Sequence, residues 1–178
     1  MSIDSRTELP PGYTWQECPE IRASFPKPDG WFYKHERARG TLAYFITREP
    51  IGNVPNMTVA YKTGLSVNVF PNFTDRIRRS PSQFAKYYMR SQKELIPDGR
   101  PTTTQDGDLV TCRGHFRYLG GLIMGKKAGR FNTYIEVTGN DRTHTAYMIS
   151  FESSPELWEQ DREIGQIIID NRILDNNF

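Results

Sequence analysis

Asp108-Leu109-Val110-Thr111-Cys112-Arg113-Gly114-His115-Phe116-Arg117-Tyr118 is the stretch that decides the fold. Val110, Cys112, Gly114, Phe116 and Tyr118 share one parity, and Thr111, Arg113, His115 and Arg117 share the other. Successive side chains of a strand point to opposite faces, so this reads as a strand with one apolar and one polar face. Residues 129–138 repeat the pattern, with Phe131, Thr133, Ile135 and Val137 opposed by Arg130, Asn132, Tyr134 and Glu136. Residues 144–152 form a third strand. Gly120-Gly121 and Gly139-Asn140-Asp141 read as hairpin connections. Strands joined by such short links pair antiparallel. If the first two pair, their polar faces coincide, because a one-residue slip would turn every side chain over. The predicted sheet face carries Arg113, His115, Arg117, Asn132 and Tyr134, with Ser66 and Asn68 placed on the same side.

Upstream, a first strand is expected around Ile21–Phe25, closed by a turn at Pro26-Lys27-Pro28-Asp29-Gly30. Trp31–Lys34 and Thr41–Arg48 follow as strands, and Leu65, Val67 and Val69 alternate with Ser66 and Asn68 as another. A helix opens at Ser80, where Pro81 suits the first helical position and Ser80 with Gln83 forms a capping box. Phe84, Tyr88, Ser91 and Leu95 keep helical spacing until Pro97-Asp98-Gly99 stops it, and residues 100–107 read as a polar loop. A second helix follows Ser153-Ser154-Pro155-Glu156, with Leu157, Ile164 and Ile168 on one face. The predicted architecture is α+β, a largely antiparallel sheet flanked by helices. Residues 1–12 are read as a mobile tail and 13–178 as a single domain.

Composition bounds the function. The chain has 178 residues and a formal net charge of +2, which excludes a dominant basic arm or acidic tail. That total is a cancellation: residues 76–130 carry a net +8 and residues 151–178 a net −5. Aromatic residues at 12% supply core formers that disordered chains lack. The N-terminus, MSIDSRTELPPGY, shows no signal-peptide pattern, and no window holds the ~18 apolar residues of a membrane span. A soluble cytoplasmic chain without membrane partners is therefore expected. Cys18 and Cys112 are expected as free buried thiols.

Motifs for catalysis fall short. Gly120–Lys127 matches G-x-x-x-x-G-K, but Lys127 stands where a magnesium-binding hydroxyl belongs and a strand follows it. Gly64-Leu65-Ser66-Val67-Asn68 lacks the closing glycine of a nucleophile elbow. His35, His115 and His144 show no ligand spacing, so no metal is assigned. Arg113–Tyr118 is basic and aromatic, but its aromatics face away from its arginines, unlike an RNA-recognition strand.

Three places resemble a known family. Pro28-Asp29-Gly30-Trp31 is similar to its Gly-Trp strand opening, and Gly64–Val69 with the capped helix from Ser80 is similar to its next element. Tyr147-Met148-Ile149-Ser150-Phe151-Glu152, followed by Trp158 and an Ile-rich helix, resembles its C-terminal signature. The family is the PsbP-like fold, shared by a photosystem II extrinsic subunit and by a Ran-binding factor of the Mog type. The resemblance implies an α/β/α sandwich over about residues 20–174, and a non-catalytic protein that binds or assembles others. It assigns no functional residue, since the matching motifs are packing residues.

The expectation is a binding or assembly protein with an unidentified protein partner, no cofactor and no catalytic residue. Arg113, His115, Arg117, Lys126, Lys127, Arg130, Asn132 and Tyr134 are the candidate contact residues. The alternative is a small-ligand protein or enzyme with a pocket around His115, where His115 is the acid/base and Arg113 or Arg117 clamps an anion. Nucleic-acid binding through residues 76–130 ranks last.

Overall fold

The computed structural model describes residues 8–51, 61–92, 94–118, 121–123, 126–175 and 177. The chain runs through β1 (Tyr13–Cys18), a single 3-10 turn (Pro19–Ile21), β2 (Ala23–Pro28), β3 (Phe32–Ala38), β4 (Thr41–Thr47) and β5 (Gly64–Phe70). Two helices follow, α1 (Phe73–Ile77) and α2 (Pro81–Ser91), then β6 (Leu95–Pro97), β7 (Thr102–Asp106) and β8 (Leu109–Tyr118). The small strands β9 (Gly121–Ile123) and β10 (Lys126–Ala128) precede β11 (Phe131–Asn140), β12 (Thr145–Ser153), α3 (Trp158–Asp170) and β13 (Ile173–Leu174).

The main sheet is antiparallel, in the order β3-β4-β5-β12-β11-β8-β6, with β7 also on β8. A three-stranded sheet, β1-β2-β13, lies separately. After β5 the chain must cross to the far edge at β6, and α2 makes that crossing over one sheet face. Ala85 is buried there among Val110, Cys112, Phe116, Ile135 and Val137. On the other face, Leu42, Tyr44, Ile46, Leu65, Val67, Val69, Ile149 and Phe151 pack with Trp158 and Ile168 of α3 and with Ile21 and Phe25 near the small sheet. Helices thus flank an antiparallel sheet, as the α+β reading requires.

Glycine sets how closely each helix approaches. A Cβ on Gly139 would stand 2.2 Å from the Pro81 carbonyl carbon, so β11 admits the start of α2 only with a bare Cα. A Cβ on Gly165 would stand 2.5 Å from the Phe151 ring, so α3 reaches β12 in the same way.

Local signals hold where they were strongest. Ser80 accepts from the Gln83 backbone N–H while the Gln83 side chain accepts from the Ser80 N–H, completing the capping box. Both cysteines are free and buried. Elsewhere the structure corrects the reading. Two strands, β1 and β2, stand where one was expected, and Pro26 and Pro28 lie inside β2. They are tolerated because β13 pairs only with Ala23 and Ser24, leaving the rest of that edge open where a missing N–H costs no ladder bond. The α2 helix ends at Ser91, and Leu95 belongs to β6, which pairs with Tyr118, Arg117 and Phe116. The polar segment near 100–107 forms β7, an exposed strand held by ladder bonds to β8. The cap of α3 is Leu157 without a side-chain bond, because Ser153 closes β12 and turns its hydroxyl elsewhere. Residues 1–7 of the expected tail lie outside the described residues. Among the described residues no helix is long and apolar enough to cross a membrane.

The Ser153 hydroxyl donates to Asp161, a fully buried carboxylate on α3. Arg48, just past β4, grips both Asp161 oxygens, with one bond at 3.2 Å. Thr63 donates to the same carboxylate at 3.4 Å. The Arg48 guanidinium also lies 5.3 Å from the Trp31 ring centre. A buried charge is tolerated only when paired and hydrogen-bonded, and Asp161 has both. Asp161→Ala leaves the Arg48 guanidinium without its acceptor, and leaves Ser153 and Thr63 only the bond between their own hydroxyls at 3.3 Å. Arg48 keeps 33% of its side chain exposed and so rehydrates in part. The expected cost is therefore the low end of the buried-pair range, about 3 kcal/mol, read as a shifted urea midpoint at unchanged m-value. Gly139→Ala must displace the α2 backbone, and the same measurement should show a loss of about 1–3 kcal/mol.

Candidate functional site

The register of β8 on β11 sets Arg113 opposite Glu136, His115 opposite Tyr134 and Arg117 opposite Asn132. The predicted polar face is therefore assembled by the hairpin itself. Arg113, His115, Arg117 and Arg130 are exposed, and Asn132 and Tyr134 are half-buried. Tyr134 donates to Glu136 at 2.9 Å, and Arg172 at the end of α3 pairs with the same carboxylate. Burial, then the Glu136 charge, holds the Tyr134 phenol well above its ordinary range. The His115 ring lies 5.3 Å from Tyr134 and 6.2 Å from Trp158. Burial lowers its pKa and Arg162 adds to that, while Asp98 opposes both. Lys126 and Lys127 pair through their backbones with Ile123 and Leu122 in the β9–β10 ribbon. Their side chains lie outside the described residues, as do parts of the Gly120–Lys127 motif.

Ser66 and Asn68 do not join this face. Ser66 pairs with Ser150, and Ser150 with Ile135, whose parity is opposite to that of Tyr134. They lie on the α2 side. His115, around which the alternative reading places a pocket, is exposed and lines none of the four cavities described. The histidines stay apart, His35 against Tyr33 and Tyr44 and His144 bonded to Thr74 at 3.0 Å. Among the described residues no group of three or more His, Cys, Asp and Glu could hold a metal.

A cavity that sequence reasoning missed lies under the C-terminal end of α2. It measures about 380 Å³ and lies between Tyr88, Leu95, Tyr118, Phe131, Ile135 and Glu152. Tyr118 and Phe131 stack at 4.7 Å as one wall. Glu152 lies on the cavity side of β12, hydrogen-bonded to Tyr61, and Tyr61 bonds in turn to Ser66. Ser66 lies 2.8 Å from Ser150, so two serines, a tyrosine and a glutamate form one polar chain. Burial pushes the Glu152 carboxyl up to about 7, with the Tyr61 bond pulling it back. Burial also raises the Tyr61 phenol, with the Glu152 charge next in effect. One signal for this site was present in the sequence: Met148, Ser150 and Glu152 alternate with Ile149 and Phe151, so a carboxylate had to enter the α2 side of a buried strand.

The fold defined by this sheet and its flanking helices is the PsbP/Mog1-like α+β sandwich. The solution structure of cyanobacterial PsbP (CyanoP) from Synechocystis sp. PCC 6803 is similar at TM-score 0.53 and 10% identity, over 98% of both chains. A single-residue mutant of protein Mog1 is similar at TM-score 0.50 and 13% identity, over 91% of this chain and 95% of the other. The Ran-binding protein Mog1p of Saccharomyces cerevisiae gives TM-score 0.49 and 10% identity, over the same shares of 91% and 95%. No protein-family model matches the sequence, and no curated protein matches it. Identities this low carry the fold alone.

Glu152 makes stability depend on pH with a definite sign. Its carboxyl is protonated in both states below the ordinary value of 4.5 and ionised in both above about 7. Between those limits the folded chain holds a proton that the unfolded chain has lost, so stability falls as pH rises. Urea unfolding of wild type and Glu152→Gln isolates the effect. The wild type should lose up to ~3 kcal/mol relative to the variant from acid to mildly alkaline pH.

Proposed function

We propose that this chain is a non-enzymatic binding or assembly protein that acts through protein contact at the β8–β11 face. The row Arg113, His115 and Arg117 supports the reading most directly. The three side chains leave one strand on the same side and all are exposed. No ion pair among the described residues engages Arg113 or Arg117. Glu136, the acid opposite Arg113, is taken by Arg172. Half-buried Tyr134 and exposed Ile96 add aromatic and apolar area beside the cations. Arginine and tyrosine on such ground are the residues that dominate protein interfaces. A partner presenting carboxylates complements the row.

The basic middle segment favours this reading over nucleic acid, because the fold divides its charge. Arg113 and Arg117 lie on the α3 side of the sheet, while Lys86, Arg90 and Arg100 line a groove on the α2 side. Arg76 is spent on the carbonyls of Gly40 and Arg39. A backbone-tracking surface needs its cations on one continuous stripe.

The test is affinity capture from native extract with wild type and with Arg113→Glu/Arg117→Glu. Both positions are exposed, so folding should be unchanged within about 0.5 kcal/mol. A protein retained by wild type should fall at least ~tenfold on the double variant. Equal recovery by both baits, or nothing above background on wild type, contradicts the proposal.

A further inference from the structure

The cavity beneath α2 is walled by the stacked Tyr118–Phe131 pair, by Tyr88 and by Leu95 and Ile135. Its volume of about 380 Å³ falls in the range of small-molecule sites, roughly 300–1,000 Å³. The ionisable groups on its lining are tyrosines and two carboxylates, Glu152 within and Glu94, which is exposed. Among the described residues no lysine or arginine lines it, and no ion pair engages Glu152.

Glu152 is held differently from the other buried acids. Asp161 has Arg48, and Glu136 has Arg172. Glu152 has the Tyr61 hydroxyl, backed by Ser66 and Ser150. That chain of hydroxyls orients the carboxyl without neutralising it. A carboxylate in a largely apolar recess remains costly until a cation reaches it. Aromatic rings on the same lining are a second attraction for that cation. The rest of the lining mixes Leu95, Ile135 and Met148, which can take up a hydrocarbon body, with the polar Gln92, Thr133 and Ser150.

We propose that this cavity binds a small organic ammonium, with Glu152 as counter-ion, the aromatic wall beside the charge, and Ile135 and Leu95 against its apolar body. Anions are excluded by the two carboxylates. Neutral ligands of the same shape gain the apolar contact and leave Glu152 unpaired. The site lies on the opposite face of the sheet from the arginine row, so it stands apart from the proposed protein contact.

The experiment is calorimetric or NMR titration of the full chain at ~pH 8, where the carboxyl is ionised, with three near-isosteric probes. These are phenethylammonium, 2-phenylethanol and phenylacetate. Saturable binding is expected for the ammonium, at least ~tenfold tighter than for the alcohol, with the carboxylate weakest. Glu152→Gln should weaken the ammonium at least ~tenfold and leave the alcohol unchanged. Glu94→Gln, at an exposed position that folding does not need, should weaken the ammonium by a smaller factor, roughly twofold. Arg113→Glu/Arg117→Glu should not reduce ammonium affinity. An ammonium that binds no tighter than the alcohol, or that fails to bind wild type, overturns the proposal, and so does undiminished ammonium binding by folded Glu152→Gln. The ranking of the three probes on wild type stands even if a variant does not fold.

Discussion

The carboxylate of Asp161 holds the layers of this protein together. It is wholly buried, and its partners come from distant parts of the chain: Arg48 after β4, Thr63 before β5 and Ser153 at the end of β12. Without it, α3 would still offer Ile168 and Trp158 to the sheet, since apolar contact is non-directional. A carboxylate with a bidentate guanidinium and two hydroxyls permits one seating only. The Arg48 guanidinium passes the constraint to Trp31 beside β3. Arg172 and Glu136 repeat the device at the other end of α3. Helix position is therefore set by directed polar contacts at both ends and by Gly165 against Phe151 between them.

That seating creates the two surfaces with functional content. On the α3 side the helix packs on β12 and β2 and touches the β8 row only where Trp158 meets His115, so Arg113, His115 and Arg117 stay exposed. On the other side α2 is anchored at its N-terminus by the close approach of Pro81 to Gly139. The chain then turns into β6, and the cavity opens beneath the end of the helix. One sheet thus carries a cationic, open face and, on its other side, an acidic recess. The near-neutral total charge of the chain hides this division.

The alternation in 108–118 and 129–138 was enough to predict the β8–β11 pairing and the side chains that share its polar face. The capping box at Ser80 was legible for the same reason. Both are read from residues a few positions apart, where backbone geometry leaves little choice. The reading failed where a distant partner outweighed the local signal. Prolines marked 26–30 as a turn, but β1 recruits Pro26 and Pro28 into a ladder. Leu95 continued a helical spacing, but β8 pairs it as a strand. Ser153-Ser154-Pro155-Glu156 read as the lead-in to a helix, but Ser153 closes β12 and Asp161 takes its hydroxyl. Ser66 was assigned to the wrong face because its parity could not be set against β11 without knowing that β12 lies between them.

By itself, the sequence determined the α+β class, the hairpin-linked strands β8, β11 and β12, and the residues of the arginine row. These follow from a two-residue period and from caps that close within four residues. The tertiary structure alone decided which carboxylates are buried and how each is satisfied. Asp161 meets a guanidinium 113 positions away, and Glu152 meets a tyrosine and faces a cavity. The sequence shows both simply as acids near hydrophobic residues. The energy of a buried charge depends on what packs around it, and that is set only when segments remote in the chain come together.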